Sequence, residues 1–471
     1  MYMTDKNFGY SDVLIGLQYG DEGKARVIDL IAKNYDIVAR FNGGANAGHS
    51  LEFGDLKIAL NQVPSAIFYP EKQMWIGSGC VVDVILLSKE IANIQKLGIN
   101  TVSRLRISSQ ASVVQFHHIL IDTISGGSIG TTKKGIGPAY SDKTSRMWND
   151  RLLNIRLADF CYDFENTMAK MKLNWQETKI LHNYEGENPD WQEFEIAWKE
   201  VCNYVELDTL WLQKQVESGK KLLFEGAQAT MLDVTKGTTP FVTSSSTLVS
   251  GCYDDINIRF HRKTIGVAKV IMSRVGFGPF ASEFGGRESE NYCMSGLYTK
   301  EQEKLLDLKK MLKSDNLMDL GIALRAKTGE YGVVSKRTRR VGAFDLVQLN
   351  YAIKINGVDE LVLTKCDLLD IFENTCFGAI PVVTKYFLNK KEIDYIPANV
   401  EACYQIETQN TLFSCFINSL ENISNRSDLP TELKNLLDFV EKFVSVKIVG
   451  IGVGPERDQF INFKLKEKMG E

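Results

Sequence analysis

Val13-Leu-Ile-Gly16-Leu-Gln-Tyr-Gly20-Asp-Glu-Gly23-Lys24 runs from a short apolar stretch straight into a glycine-rich turn. Val13 to Gly16 is bounded by polar residues and reads as a buried strand. Next comes Ala25-Arg-Val-Ile-Asp-Leu-Ile-Ala32, whose apolar residues recur at helical spacing. A second strand, Asp36-Ile-Val-Ala-Arg40, runs into Asn42-Gly-Gly-Ala-Asn-Ala-Gly-His-Ser50. Strand, loop, helix and strand in this order open a parallel α/β sheet, in which ligands gather at the carboxyl ends of the strands. The expected fold is a single large α/β domain, 1–471, around a mostly parallel central sheet with a P-loop-like phosphate-binding loop.

Further strand candidates are Lys221–Glu225, Thr264–Ile271, Glu360–Thr364 and Val444–Gly450. Between about 160 and 220, the spacing of Trp175, Trp191, Phe194, Trp198, Val201, Val205 and Leu212 predicts a mostly helical subdomain. Residues 298–328 carry Lys, Leu, Glu and Asp at helical spacing and read as one added helix, an insertion between two loops. Internal repeats and low-complexity segments are absent, so the chain is not a solenoid.

Composition narrows the function. The 471 residues are 44% hydrophobic and 24% charged, which suits a globular protein with a sizeable core. With 55 Lys+Arg against 59 Asp+Glu, the formal net charge is -4. This balance gives no reason to expect nucleic-acid or membrane partners, so an anionic substrate must be held by local basic clusters. Nine cysteines are scattered with no C-x-x-C pair, which fits reduced thiols rather than zinc or disulfides. The polar N-terminus and the lack of a long apolar run make the expected location cytoplasmic.

The glycine-rich turn that opens the first helix presents backbone N–H groups to an anion. It departs from an ordinary Walker A loop: Gln18 replaces the first glycine, and Ala25 the hydroxyl that would bind Mg²⁺. Asp21 is then the obvious carboxylate for the metal. The same residues also make a tight turn with surface charges. Asn42–His49 adds a second glycine-rich loop carrying one of five histidines, and His49 there is either structural or catalytic. Gly130-Thr-Thr-Lys-Lys-Gly-Ile-Gly-Pro138 lines an anion or forms a surface loop. In Thr364-Lys-Cys-Asp367, directly after a strand, the aspartate can accept from guanine N1–H and its 2-amino group. Ser335-Lys-Arg-Thr-Arg-Arg340 is the densest cationic cluster, suited to carboxylate or phosphate.

Together with Phe224-Glu-Gly-Ala-Gln228 and Pro240-Phe-Val-Thr-Ser-Ser245, these motifs occur in the order and spacing of the adenylosuccinate synthetases, which the chain resembles from Val13 to about Gln459. The resemblance implies GTP-dependent ligation of L-aspartate to IMP through 6-phosphoryl-IMP. Asp21, Lys24, His49 and Gln228 would be catalytic, and Mg²⁺ would be held by Asp21 and the Gly48 carbonyl. GTP would meet Gly20 to Arg26 (Asp21, Glu22, Gly23, Lys24 and Ala25 between them) and Gly48, His49 and Ser50. Arg339, Lys365, Cys366 and Asp367 would join them, with Gly452, Val453 and Gly454 closing over the base. IMP would contact Asp21, Lys24, Asn46, Ala47, Gly48, His49, Thr132, Gln228, Thr243 and Arg337. The aspartate loop would be Val333, Val334, Ser335, Lys336, Arg337, Thr338 and Arg339. Its Val334 and Lys336 depart from the family's usual threonine and glycine, as do Ala25 and Gly452 from its usual residues.

The resemblance also implies a homodimer in which Arg146 reaches the nucleotide phosphate of the neighbouring subunit. Two other readings remain: a paralogue using another 6-oxopurine nucleotide such as dGMP, and a non-catalytic GTP-binding regulator. Retained Asp21 favours IMP, since the phage relatives that use dGMP typically lose it.

Overall fold

The computed structural model describes residues 8–53, 56–128, 130–332, 338–416, 419–420, 423–454, 456 and 459–463, with side chains left out at 49–57 and 128. It is an α/β fold with a mostly parallel main sheet. Two compact units are distinguishable: Met1–Ile15, Lys24–Gln228 and Thr243–Lys263 form the first, and Gly16–Gly23, Ala229–Val242 and Thr264–Glu471 the second.

The main-sheet strands are β1 (Ser11–Gly16), β2 (Ile37–Arg40), β3 (Gln73–Ile76), β4 (Leu105–Ser108), β5 (Val205–Glu206), β6 (Leu222–Glu225), β7 (His261–Lys269), β8 (Glu360–Thr364), β9 (Lys447–Gly452) and β10 (Phe460–Asn462). In the first unit they run β5-β4-β3-β2-β6-β1, with every pairing parallel. In the second unit β7, β8 and β9 pair in parallel, and β10 returns antiparallel on β9. Strands buried on both faces read as unbroken apolar runs, and Val13, Leu14 and Ile15 are accordingly fully buried.

The helix Lys24–Ile31 begins directly after the glycine-rich turn, as its apolar spacing predicts. Helices Leu157–Tyr162, Phe164–Leu181, Trp191–Val201 and Trp211–Glu217 occupy the 160–220 stretch. Phe160 packs on Phe194 and Trp198 there. The 298–328 stretch differs from the single helix expected: it forms Lys300–Glu303, Leu308–Leu312 and Leu317–Thr328. Asp307 and Asn316 interrupt it by capping new helices, accepting from Lys310 N and Met318 N. The second unit also holds a smaller sheet built on Ile380–Leu388, which pairs antiparallel with Glu407–Phe413 and Lys391–Ile393. No described helix is long and apolar enough to cross a membrane.

Candidate active site

In the first unit, the loop after β2 is held by one amide. Asn42 Nδ2 donates to Ala227 O at 3.3 Å and Ser245 Oγ at 3.2 Å, while its Oδ1 accepts from Ala227 N at 2.9 Å. This ties together the loop after β2, the Glu-Gly-Ala-Gln turn after β6 and the 243–245 segment. Gly43 sits at their meeting point: a Cβ there would lie 3.1 Å from Gln228 Oε1 and 3.6 Å from Asn46 Oδ1. Gln228 has φ 55, a left-handed conformation that costs a residue with a side chain about 1 kcal/mol. Its buried Oε1 has no hydrogen-bond partner among the described residues. A strained backbone that ends in an unsatisfied buried acceptor marks a place built for a ligand's donor.

The 130–138 loop leans on the same wall. Lys134 Nζ donates to Ala45 O at 2.7 Å, and burial pulls this lysine's pKa down. Tyr140, on the helix Ile136–Ser145, accepts from Gly43 N at 2.9 Å and donates to Gly79 O at 2.7 Å. Thr132 is exposed on this loop, and Thr243 is half-buried beside Ser244 and Ser245. Arg146 closes the helix with φ 65 and an exposed side chain. Asn46 and Gln228 thus meet at one glycine, the segment that carries Thr243 is tied to the same loop through Ser245, and the loop that carries Thr132 leans on it through Lys134. Lys24 and Ala47 are buried in this unit, and Gly48 is exposed, with open space where a Cβ would stand. The side chains of His49 and Ser50 lie outside the described set.

In the second unit, the turn Gly16–Gly23 is pinned by Gln18, the residue that takes the place of a Walker glycine. Its amide makes a two-point clip on the end of β7: Nε2 donates to Lys269 O at 2.9 Å and Oε1 accepts from Lys269 N at 3.0 Å. Glu22 is turned inward and accepts from Gln18 N at 3.2 Å and Gly20 N at 2.8 Å. Its carbonyl takes the Thr364 hydroxyl at 2.7 Å, seating the turn against the end of β8. With Glu22 occupied, the outward carboxylate is that of Asp21, held at φ 58 with its side chain 42% exposed.

Asp21 Oδ2 pairs with Arg339 Nη2 at 2.7 Å, and Arg339 Nη1 reaches Glu330 Oε2 at 2.9 Å. Glu330 also takes Lys365 on Oε1 and Lys269 at 3.3 Å, and it is completely buried. Burial would raise the Glu330 pKa, but Lys269, Lys365 and Arg339 together hold it well below the usual carboxylate range. Lys365 has φ 62, immediately after β8, with half-buried Asp367 two residues on. Cys366 between them is buried, and burial pushes its thiol far up, so it is inert packing. Gly452 ends β9, and Val453 N donates to Gln459 O at 2.9 Å. Glu330 and Lys269 were not anticipated from sequence. A lysine inside Ile-Gly-Val-Ala-Lys-Val-Ile, at the carboxyl end of a parallel strand, was the available signal.

Of the expected aspartate loop, Val333, Val334, Ser335, Lys336 and Arg337 lie outside the described residues. Its stems are described. Thr338 bridges Tyr331, and a fully buried pair from the 298–328 stretch holds both sides. Arg325 Nε donates to the Glu303 oxygens at 3.0 and 3.1 Å, and its Nη1 to Arg339 O at 3.0 Å. Tyr331 Oη donates to Glu303 Oε2 at 2.6 Å. Arg325→Met is expected to destabilise the protein by about 3–5 kcal/mol, because Glu303 stays buried and unpaired. Chemical denaturation checks this. The double variant Arg325→Met/Glu303→Gln should recover much of the loss.

Among the described residues, His117, His118 and Asp142 cluster with metal-ligand proximity. The hydrogen bonds argue for another role. His118 Nδ1 accepts from Gln115 N at 2.9 Å, so Nε2 carries the proton and donates it to Asp142 at 3.0 Å. Burial lowers the His118 pKa to about 4, keeping that tautomer neutral. The cluster anchors the helix that ends at Arg146.

A family model described as adenylosuccinate synthetase matches residues 13–461. The chain belongs to the adenylosuccinate synthetase family. An adenylosuccinate synthetase 2 from Cupriavidus pinatubonensis is 40% identical, covering 98% of this chain and 99% of that protein. The fully ligated adenylosuccinate synthetase of Plasmodium falciparum matches with TM-score 0.82 and 31% identity over 98% of this chain and 100% of that one. A cyanophage S-2L succinoaminodeoxyadenylate synthetase bound to dGMP and dATP shares the fold, at TM-score 0.58 and 17% identity over 98% and 97% of the two chains. The protein is therefore an enzyme, a ligase of AMP biosynthesis whose family joins aspartate to IMP.

Proposed function

We propose that the chain ligates L-aspartate to IMP at the expense of GTP, through 6-phosphoryl-IMP, releasing GDP and phosphate. The observation that carries this reading is the outward Asp21 in a phosphate-type turn whose other carboxylate is turned in. A 6-oxopurine must lose its N1 proton before O6 becomes nucleophilic, and Asp21 is assigned to take it. O6 then takes the γ-phosphoryl group, with His49 and Lys24 assigned to the charge that develops in transfer. The aspartate amine displaces phosphate at C6. The unsatisfied Gln228 Oε1 accepts from the purine nucleotide, beside Asn46. Lys365 and Asp367 read guanine on GTP, and Arg337 and Arg339 are assigned to the anionic substrates.

Asp21 fits Mg²⁺, a hard cation that prefers carboxylate oxygen, because it is the accessible carboxylate of this turn. Gly48 O is assigned as the second protein ligand, and the ion would neutralise phosphate charge. The proposed setting is cytoplasmic, and the whole chain is proposed as one catalytic domain with a helical 160–220 subdomain.

Steady-state assays with IMP, dGMP and GMP in parallel test the reading. Turnover with IMP, GTP and aspartate is expected. Preference for dGMP would make the chain a paralogue, and no turnover with any nucleotide would leave a GTP-binding regulator.

A homodimer sharing Arg146 is part of the proposal. Arg146 is followed by Met147 and Trp148, 53% and 63% exposed, and arginine with large apolar side chains is typical of interface cores. Losing an arginine–phosphate contact is worth about 1.5–3 kcal/mol, so Arg146→Leu should weaken nucleotide binding about ten- to a hundredfold. Mixing Arg146→Leu subunits with inactive Asp21→Asn subunits should restore one intact site per mixed dimer. No recovery despite proven subunit exchange would confine Arg146 to its own chain.

A further inference from the structure

We propose that Glu330 is a positioning residue that joins the guanine-reading lysine to Arg339, the arginine that pairs with Asp21 of the catalytic turn. The proposal rests on the GTP reading above. Glu330 is completely buried, and its two oxygens are divided between two tasks. Oε1 holds Lys365 Nζ, next to the guanine-reading Asp367. Oε2 holds Arg339 Nη1 at 2.9 Å, and the other end of that guanidinium holds Asp21 at 2.7 Å. One rigid carboxylate thereby sets the position of groups at both ends of a nucleoside triphosphate.

Its surroundings explain why it stays fixed. Ser273 Oγ donates to Oε2 at 2.8 Å, and buried Lys269 lies 3.3 Å away on the strand end that also clips Gln18. The Glu330 backbone is tied as well, since its N donates to Arg325 O at 3.0 Å and its O accepts from Arg339 N at 3.1 Å. Three cations (Lys269, Arg339, Lys365) face two carboxylates (Glu330, Asp21), leaving one net positive charge in the cluster. That excess favours an anionic ligand, and it is set by a single buried acid. Removing the acid would leave three cations unneutralised except through Asp21. Lys365 would keep the long 3.5 Å contact to Thr328 O, and Arg339 would keep its pair with Asp21.

The test uses the full chain and calorimetric titration with GDP and with ADP, beside steady-state kinetics. Wild type should bind GDP far more tightly than ADP. Glu330→Gln should weaken GDP about ten- to a hundredfold, the loss of one charge-assisted contact. In a Lys365→Met background, the same change should cost less than about threefold, because its partner is already gone. Glu330→Gln should also lower kcat at saturating GTP about tenfold or more through Arg339, whereas Lys365→Met should act mainly on KM. A purely structural residue would change the folded fraction and leave the GDP-to-ADP ratio of the folded protein intact.

If Glu330→Gln does not fold, Glu330→Gln/Lys269→Met keeps the cluster's net charge and carries the same comparison. Folded variants with wild-type GDP affinity, or losses that simply add to those of Lys365→Met, would overturn the proposal. Equal binding of GDP and ADP by the wild type would instead bring down the guanine reading, and the role of Glu330 with it.

Discussion

Asp21→Asn should remove phosphoryl transfer almost completely, lowering kcat by roughly 10³-fold or more while leaving the protein folded. General-base catalysis contributes about 10²–10⁴ on its own, and the same carboxylate is assigned to Mg²⁺. Asparagine is the informative replacement because it tolerates the left-handed conformation that Asp21 adopts at φ 58. It keeps the shape and can still accept from Arg339, but it cannot take up the N1 proton. The fold should survive, since the side chain is 42% exposed and Glu22, Gln18 and Thr364 hold the turn without it. Rapid-quench measurement of phosphoryl transfer, with thermal melting as the control for folding, reads both halves. Near-normal turnover in the folded variant would reassign the base and the metal ligand together.

The fold was legible where strand length and composition agreed. β1, β2, β6 and β8 are short apolar runs bounded by polar residues, and each lies within a residue or two of its expected place. β3 and β4 were less legible because Gln73-Met-Trp-Ile76 opens on a polar residue and lacks a β-branched pair, and Leu105-Arg-Ile-Ser108 alternates apolar with polar residues instead of forming an apolar run. Arg106 is tolerated in β4 because it pairs with Glu206 at 2.9 Å and lies over the Trp211 ring. Such compensation comes from residues about a hundred positions away, beyond any local window. The 298–328 stretch has continuous helical spacing, yet Asp307 and Asn316 side chains compete for backbone N–H groups and divide it.

The site was legible where its chemistry sits in glycine-rich or strand-end motifs. Gly20-Asp-Glu-Gly23 and Thr364-Lys-Cys-Asp367 announce themselves by residue type. Which of Asp21 and Glu22 faces outward is decided by hydrogen bonds to Gln18 N and Gly20 N, which only the folded turn reveals. Glu330 stands in Thr-Gly-Glu-Tyr, an unremarkable end to a helix. It becomes a hub because the helix Leu317–Thr328 delivers it among Lys269, Lys365 and Arg339, from three other segments. Arg325 and Glu303 likewise carry no local signal in a charged helical stretch, and they are fully buried together.

The second large effect concerns the choice of nucleotide. Asp367 is expected to accept from guanine N1–H and the 2-amino group, and adenine offers neither donor at those positions. A site built to hydrogen-bond a ligand group rejects the analogue lacking it by about 10⁴–10⁵, because its buried polar groups are left unpaired. Wild type should therefore favour GTP over ATP by roughly that factor in kcat/KM. The backbone supports the assignment: Lys365 turns at φ 62 directly after β8, so the chain leaves the strand end and starts the short helical turn Cys366–Asn374 with Asp367 in its first turn. Glu330 holds Lys365 in that turn, and burial fixes Cys366, so Asp367 has little freedom to adapt to a different base. Asp367→Ala should lower kcat/KM for GTP about 10³–10⁴-fold and change it little for ATP, bringing the two within about tenfold. Competition experiments with GTP and ATP on the same preparation give the ratio directly. If ATP already serves the wild type as well as GTP, or if Asp367→Ala leaves the ratio where it was, then Asp367 does not read the base.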